Sequence, residues 1–498
     1  MPIPKEILNV PRPVNTVVTV YGKNKDKYGV RKRIGCKRTN GRNVPVTGPT
    51  IGHIIDGVYV PVGGQEELSR SAPDLKDWAV VRLADREFRP VLDELSEFYN
   101  HKDSMKIYCI SLLRVCYPGI CDSALKEAYE QSFLSEYHPG VALSQNTVST
   151  FLHDLGKACS RIGGFMRRRA EEIAGDHHVL VDGTLKSDES GVNSLSNFSR
   201  KARAKGTRDI SVLYAFDLEA MEPVCSKCYP GNMLDLTAYP DFVESNGISS
   251  GIIVGDKGFP AKAIDEFLSE HPGLHYLNPV KRNSKFIATH NLYSFSGVLP
   301  GHAGITFKRE KCTGARKWLY AFRDSEKAAA EEKAWLKNAM ENGTFDDSEF
   351  KRRQRSFGTI VLESDLELEP EVIYKAYSHR WEIEIVMRFY TDVLGLDETR
   401  VHDDYSVIGS EFCNFLASVL TFRLIRAFNS ADLLKKRTYK ELTDILRRAK
   451  KLRDGSSGDW RLIKMNPSQL EVLQSLDLLP RPEEAPKRNP GRPRKNGI

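Results

Sequence analysis

The chain has 498 residues, of which 40% are hydrophobic and 28% are charged, a balance that excludes a largely disordered protein and suggests two or three domains. Its formal net charge of +7 is concentrated in two places: residues 22–44 hold nine Lys or Arg against one Asp, and residues 481–498 hold six against two Glu. The remainder is therefore net acidic. This distribution favours a polyanionic partner, most simply nucleic acid, although two solvated charge runs would show the same pattern.

Membrane and disulfide-rich classes are disfavoured. No apolar stretch approaches the roughly 20 residues of a membrane span, and the N-terminus lacks a leader pattern, so we expect a cytoplasmic protein with no membrane partner. The nine cysteines are scattered along the chain, which indicates reduced thiols. Cys225 and Cys228 form a CxxC pair, but no second pair lies at the spacing of a zinc site.

The first two regions differ in their predicted structure. Residues 1–75 predict a basic N-terminal arm with short strands, because β-like stretches alternate with Pro and Gly. Residues 76–172 carry apolar residues at helical spacing and predict a helical DNA-binding domain. Within it, LSQNTVSTFLHDLG predicts a helix with Ser144 as its N-cap. That helix suits a helix-turn-helix and ordinary helical packing equally well.

From residue 178 onward, short apolar runs predict strands of one sheet. DISVLYAFD and PVCSKCYPG are joined by a short polar turn and predict an antiparallel hairpin, whereas GIIVGD leads into a helical pattern. The mixture indicates an α/β fold. The predicted regions are a first core segment at 173–280, a β-rich insertion with one charged helix at 281–365, a second core segment at 366–430, a C-terminal helical region at 431–480 and a basic tail at 481–498.

Two carboxylates follow apolar strand patterns, Asp182 in HVLVDGT and Asp256 in GIIVGDKGF. Carboxylates on neighbouring strands can share a divalent cation such as Mg²⁺, which leaves its remaining positions to water and phosphate oxygens. Taken singly, each Asp is better explained as a turn former, since Asp-Gly is a common turn dipeptide. The pair is therefore more informative than either residue.

A third acidic position lies in YSHRWEIE, where Tyr377, Arg380 and Glu384 are spaced to share one helix face. Arg can bind phosphate through two hydrogen bonds, and Tyr can donate one. Glu382 is a rival carboxylate that projects to a different side. An exposed amphipathic helix with an Arg380–Glu384 pair is the alternative explanation.

The order of these motifs resembles that of the DDE transposases of bacterial insertion sequences. In the subgroup that the chain resembles, the glutamate lies in a Tyr, Arg, Glu, Lys signature, and a largely β insertion separates it from the second aspartate. The interval from Asp256 to Glu384 is long enough for that insertion, and YPGNMLD at 229–235 resembles the family's turn. Thr391 stands where the family has Lys, and Arg388 would supply the missing charge from the same helix face as the glutamate.

The resemblance implies the fold class and the chemistry. The fold would be α/β, an RNase H-like mixed-sheet catalytic core with a β-rich insertion, preceded by the β-containing arm and the helical domain. Asp182, Asp256 and Glu384 would be the catalytic residues and the ligands of two Mg²⁺ ions, with Mn²⁺ as a plausible substitute. One ion would activate the attacking water or DNA 3′-hydroxyl, and the other would stabilise the leaving oxygen.

Basic residues near the motifs are predicted to contact DNA. The predicted DNA-binding residues are Tyr377, Arg380, Arg388, Arg200, Lys201, Arg203, Arg492 and Arg494. Those at 200–203 belong to the loop after the Asp182 strand, where backbone phosphates would pass. The last two lie in KRNPGRPRKNG, which resembles an AT-hook that binds the narrow minor groove of A·T-rich DNA. A solvated loop and a chance basic tail are the alternatives.

These observations predict an insertion-sequence transposase that nicks double-stranded DNA at the element's ends and joins the 3′-ends to target DNA, assembled as a homodimer on DNA. Two alternatives remain: a non-catalytic DNA-binding relative, and a metal-dependent nuclease that cleaves without joining. Three clustered acids argue against the first, because a binding module gains nothing from carboxylates beside phosphate. Sequence does not separate cleavage from joining.

Overall fold

The computed structural model divides into two compact units, Met1–Asp77 with Ala449–Met465 and Trp78–Arg448 with Asn466–Ile498. It describes residues 3–22, 27–39, 42–62, 73–188, 192–198, 208–233, 235–255, 267–268, 270–312, 317–380, 398–399, 401, 403–454 and 458–481.

The first unit is built on an antiparallel meander of four strands in sequence order. The strands are β1 (Thr16–Tyr21), β2 (Lys27–Thr39), β3 (Arg42–Ile55) and β4 (Val58–Pro61). Alternating apolar residues place Val18, Val30 and Ile54 in one buried cluster, where the Lys5–Leu8 helix also contributes Ile7. The meander thus has a small core at one end.

A second sheet in this unit joins distant parts of the chain in the order β17-β16-β5. Its strands are β5 (Asp74–Asp77), β16 (Lys450–Arg453) and β17 (Arg461–Leu462). We predicted residues 431–480 to be a C-terminal helical region, and the structure also contains the strands β16 and β17 there. The reason is non-local: Lys450 and Arg453 form ion pairs with Asp77 and Asp74 across the β16–β5 ladder, partners that local periodicity does not show.

The second unit begins with helices. Those before its sheet span Ala79–Ser96, His101–Cys116, Leu125–Glu130, Leu134–Tyr137, Gln145–Lys157 and Cys159–Ala170. Those after it span Asp404–Ser430, Tyr439–Arg448 and Pro467–Ser475. The predicted cap is confirmed, because the Ser144 side chain accepts a hydrogen bond from the Thr147 backbone N–H.

The large sheet of the second unit has ten strands among the described residues, in the order β11-β12-β13-β14-β10-β9-β6-β7-β8, with β15 paired to β6. The strands from β6 to β10 are His178–Asp188, Asp209–Asp217, Glu222–Pro230, Gly251–Val254 and Leu274–Pro279. β9 runs parallel to both of its neighbours, β6 and β10. β7 and β8 form the predicted antiparallel hairpin, which confirms that interpretation.

Residues 281–365 extend this sheet. Their strands are β11 (Gly297–Val298), β12 (Ile305–Lys311), β13 (Trp318–Asp324) and β14 (Thr359–Ser364), and their helices span Lys285–Thr289, Ser325–Glu341 and Asp347–Gln354. β14 pairs antiparallel with both β13 and β10. The segment that we predicted as an insertion therefore continues the sheet. The strand β15 is Glu398–Thr399.

The Asp404–Ser430 helix is long and apolar enough to cross a membrane by length and composition. However, 78% of its most apolar 18-residue window is buried inside the fold, where it packs against β8 and the helices Ala79–Ser96, His101–Cys116 and Gln145–Lys157. We call it the core helix. Its apolar composition is explained by this burial.

Two glycines allow the core helix and the Gln145–Lys157 helix to touch along their backbones. A Cβ built on Gly156 would overlap the Tyr405 carbonyl oxygen, and one built on Gly409 would overlap the Leu152 carbonyl oxygen. A side chain at either position would force the helices apart.

We expect Gly409→Val to lower the free energy of unfolding by about 3 kcal/mol, because overpacking at a backbone contact strains both helices. Urea denaturation followed by circular dichroism measures this. The control is Gly163→Ala in the Cys159–Ala170 helix, where a built Cβ meets only the end of Arg167 at 3.7 Å. It should raise stability by about 0.5–1 kcal/mol, and equal stability of the two variants would contradict the packing argument.

Candidate active site

Asp182 lies inside β6, at a point where the sheet opens beside the strand. It pairs with Tyr214 of β7, and one of its carboxylate oxygens accepts a hydrogen bond from the Gly183 N–H at 2.9 Å. The alternative that Asp182 and Gly183 form a turn after the strand is wrong, because β6 continues to Asp188. The carboxylate is half-buried.

The other edge of β6 is covered at its two ends. β9 pairs with it from His178 to Leu180, and β15 pairs with Ser187 and Asp188. Within the described part of the chain, no strand pairs with this edge between those ends. Asp182 stands at the resulting gap, two residues after the last residue paired to β9.

A buried tyrosine fixes the backbone next to Asp182. Tyr239, in the Asp235–Ser245 helix, donates its hydroxyl hydrogen to the Val181 carbonyl oxygen, and its side chain is buried. A buried carbonyl at a strand edge needs such a donor. Sequence reasoning missed Tyr239, because nothing local signals a contact across 58 residues.

An ion pair buried in the protein anchors β6 to the core helix. Lys186, with no exposed surface, donates from Nζ to Glu411 Oε2 at 2.5 Å. Asn414 donates to the other Glu411 oxygen at 2.9 Å, and Arg114 donates to Asn414 Oδ1 at 2.7 Å. Arg114 is paired in turn with Asp122 at 3.1 Å. Every charge in this chain of contacts has a partner, as buried charges require.

The helix at 370–380 carries Tyr377 and Arg380, both half-buried. Ile373 and Ala376 are buried and continue into Tyr377 and Arg380 at helical spacing, so the two residues extend the packed stripe of the helix. The Arg380 guanidinium lies 5.9 Å from the centre of the Tyr377 ring. Up to residue 380 the helix is therefore packed, and the alternative of an exposed amphipathic helix is wrong for these residues.

His379 ties the same helix to the β7–β8 turn, since its Nδ1 lies 2.9 Å from the Leu218 carbonyl oxygen. Immediately before β7, next to the predicted basic loop, the Arg208 guanidinium lies 5.5 Å from the Phe198 ring centre. The remaining predicted site residues lie outside the described residues: Asp256, Glu384, Arg388, Arg200, Lys201, Arg203, Arg492 and Arg494. The same holds for Thr391 and Glu382.

A second group of ionisable residues closes the β7–β8 turn at the start of β6. Asp217 accepts from His177 Nδ1 at 2.6 Å and from the Glu219 and Ala220 N–H groups at 2.9 Å. Glu219 accepts from the backbone N–H and the ring of His178, each at 2.7 Å. Ligand atoms of His177, Asp217 and Glu219 lie within 4.8 Å of one another. Because hydrogen bonds from the protein already engage the carboxylates, the arrangement is explained as a turn network.

These contacts shift two pKa values. The hydrogen bond to Asp217 raises the pKa of His177, against the opposing effect of burial. Burial would raise the pKa of Glu219, but the hydrogen bonds from the His178 side chain and backbone outweigh it and leave that pKa lowered. Sequence reasoning missed this network, although the His-His pair at the start of β6 and the Asp-Leu-Glu at the end of β7 are its signal.

Comparison with known proteins identifies the domain that holds Asp182. Residues 174–407 match the family model described as the transposase DDE domain, a match that supports a DDE transposase enzyme. Among solved structures, the chain is similar to the cryo-EM structure of a piggyBac transposase synaptic complex with hairpin DNA, at 11% identity and a TM-score of 0.35, over 70% of this chain and 71% of that chain. That degree of similarity does not establish a common fold. No curated protein sequence matches the chain.

The raised pKa of His177 predicts a pH-dependent contribution to stability. His177 binds its proton more tightly when folded, so its pairing with Asp217 stabilises the protein fully below the unfolded pKa of about 6.5 and is lost as pH rises through the raised value. We therefore expect His177→Gln to destabilise the protein at pH 6 more than at pH 9, as measured by urea denaturation.

The matched control is His101→Gln, at an exposed position at the start of a helix, which should have the same small effect at both pH values. An equal loss of stability at pH 6 and pH 9 in His177→Gln would contradict the assigned ion pair.

Proposed function

We propose that the chain is the transposase of a bacterial insertion sequence, which nicks DNA at the element's ends and transfers the freed 3′-ends into target DNA. The observation that carries the proposal is the match of residues 174–407 to the transposase DDE domain. The proposed assembly is a homodimer on double-stranded DNA, acting in the cytoplasm at the nucleoid. The alternatives are a nuclease that cleaves without joining and a non-catalytic DNA-binding protein. The first would use the carboxylates for cleavage alone, and the second would not use them for catalysis.

The strand arrangement supports an RNase H-like catalytic core. β6, β7 and β8 form an antiparallel series, and β9 and β10 follow on the other side of β6 and parallel to it. The order β8-β7-β6-β9-β10 is that of RNase H-like folds, whose catalytic acids lie at the central strand and its parallel neighbour. In this chain those are β6, which holds Asp182, and β9, which is followed by Asp256.

The register of the two parallel strands supports the pairing of these acids. Leu180 of β6 pairs with Val254 of β9. Asp182 is two residues after Leu180, and Asp256 is two residues after Val254. The sequence thus places both carboxylates at equivalent distances past a paired position on adjacent strands.

The third acid follows from the helix at 370–380. Tyr377 and Arg380 continue a packed stripe there, and Glu384 comes four residues after Arg380 in the sequence, the spacing of residues that share a helix face. We propose Glu384 rather than Glu382 for this reason. Arg388, one turn further, would take the role of the family's Lys at the position of Thr391.

The donor set suits Mg²⁺, since the proposed ligands Asp182, Asp256 and Glu384 are all carboxylates and hard oxygen donors. Bound divalent ions supply activation of the attacking oxygen and neutralisation of charge at phosphorus. The chain itself holds the carboxylates in position. β6 is fixed beside Asp182 by Tyr239 and behind it by Lys186.

Cations around the core would hold the DNA backbone. Arg380 and Tyr377 are proposed to contact phosphate next to the scissile bond. The basic loop with Arg200, Lys201 and Arg203 would bind backbone phosphates further from the scissile bond, and the AT-hook-like tail with Arg492 and Arg494 would bind the minor groove.

We expect Asp182→Asn, Asp256→Asn and Glu384→Gln each to abolish strand cleavage while end binding persists, because each removes one charged ligand and keeps the shape. Cleavage of a labelled end duplex in Mg²⁺ measures activity, and a mobility-shift assay measures binding. Asp176→Asn, an exposed carboxylate in the turn before β6, is the control and should cleave normally. Full activity in any triad variant, or wild-type cleavage in excess chelator, would refute the proposal.

We expect Arg380→Lys to lower the cleavage rate about tenfold, because a lysine cannot form the bidentate hydrogen bonds of a guanidinium with phosphate. Single-turnover cleavage at saturating protein measures this. Arg168→Lys, at a position with 49% of its side chain exposed, is the matched control. An unchanged rate in Arg380→Lys would remove Arg380 from the DNA-contacting set.

A further inference from the structure

The β2–β3 hairpin extends beyond the core of its unit. β1 pairs with β2 only up to Lys32, and β4 pairs with β3 only from Gly52. Arg33 still donates its backbone N–H to the Asn15 carbonyl oxygen at 2.8 Å. Beyond it, among the described residues, the two strands pair only with each other, from Gly35↔Val46 to Thr39↔Arg42. We call residues 34–39 and 42–47 the distal ribbon.

The dimensions of the distal ribbon match a groove of duplex DNA. At about 3.3 Å per residue, its six-residue strands are about 20 Å long. The major groove of B-DNA is about 12 Å wide and 8.5 Å deep and admits a two-stranded β-ribbon. The ribbon is therefore long enough to lie in the groove while its base stays in the meander core of Val18, Val30 and Ile54.

The charge of the hairpin is of one sign. Residues 27–55 contain no Asp or Glu, and their cations are Lys27, Arg31, Lys32, Arg33, Lys37, Arg38 and Arg42. Lys37 and Arg38 are exposed and are successive strand residues, so their side chains point to opposite faces. Both faces of the ribbon thus carry positive charge, which is complementary to the two phosphate backbones that border a groove.

Apolar side chains lie exposed between these cations. Ile34 is 63% exposed, Val44 47% and Val46 39%. Such side chains can contact thymine methyl groups and sugars inside a groove. A ribbon that only carried charge would not need exposed apolar side chains.

We propose that the distal ribbon enters the major groove of duplex DNA and contributes to binding of the element's ends. The inference rests on the proposed function for the identity of that DNA. Duplex RNA does not fit, because its major groove is deep and narrow. Val44 and Val46 lie on the same face as Lys37, the cross-strand partner of Val44, and this face turns toward the base edges. The long side chains of Lys37, from that face, and of Arg38, from the opposite face, reach the flanking phosphates.

The first experiment measures the salt dependence of binding between the full-length protein and a fluorescent duplex of the element's terminal sequence. Lys37→Gln with Arg38→Gln should weaken binding about tenfold at 0.15 M salt and reduce the slope of log K against log salt by about 2, since each lost phosphate contact changes it by roughly 0.9. The control is Lys435→Gln with Lys436→Gln, which removes two exposed cations elsewhere. It should leave the affinity and the slope unchanged. Unchanged affinity in the ribbon variant would overturn the proposal.

The second experiment locates the groove. Arg33 pairs directly with Thr47, so replacing residues 34–46 by Asn-Gly closes a two-residue hairpin and deletes the ribbon without touching the core. Methylation by dimethyl sulfate reports on guanine N7, a major-groove atom. Wild type should protect guanines that the shortened variant leaves reactive. Identical footprints, or equal competition by duplex RNA, would overturn the assignment to the major groove.

The outcomes separate this inference from the proposed function. If wild type binds DNA through the distal ribbon but cleaves nothing in Mg²⁺, the proposed function is refuted and the DNA-binding role of the ribbon is supported. If wild type cleaves DNA, and both ribbon variants bind DNA and protect guanines as wild type does, the DNA-binding role of the distal ribbon is refuted and the proposed function is supported.

Discussion

The ion pair between Lys186 and Glu411 is the constraint on which the arrangement of the second unit depends. An ammonium with no exposed surface must keep its carboxylate partner, because an uncompensated buried charge destabilises a protein by about 3–5 kcal/mol. A slip of β6 by one residue would turn Lys186 to the opposite face of the sheet. The pair therefore sets the register of β6 against the core helix. Asp182 lies four residues earlier in the strand, so the same register determines which face its carboxylate occupies.

Local patterns were sufficient wherever one segment determines its own structure. The N-cap at Ser144 and the β7–β8 hairpin could be predicted because capping and short turns act over a few residues. Strand β16 could not, since Lys450 and Arg453 pair with acids more than 370 positions earlier. The continuation of β6 past Asp182 was also missed. Gly183 suggested a turn, whereas pairing with β7 on one side keeps the strand extended.

The candidate site shows the same difference between features set by local sequence and features set by long-range contacts. Asp182 could be found because its type and context carry a chemical meaning. Its supports could not: Tyr239, Lys186 and Glu411 are ordinary residues whose roles arise from contacts across 58 and 225 positions. Burial is what makes these contacts matter, because a buried carbonyl or charge without a partner is costly.

Charge is used in opposite ways in the two units. In the second unit, buried cations such as Lys186 and Arg114 are each matched by a nearby acid, so they contribute to a fixed arrangement and have no capacity for a ligand. In the hairpin of the first unit, seven cations occur within 29 residues without one acid. Like charges at such density repel one another and oppose folding. A polyanion lowers that repulsion when it binds, so the distal ribbon gains more from a phosphate backbone than a neutral surface would. The cations that weaken the free hairpin are therefore those that would strengthen the proposed complex with DNA.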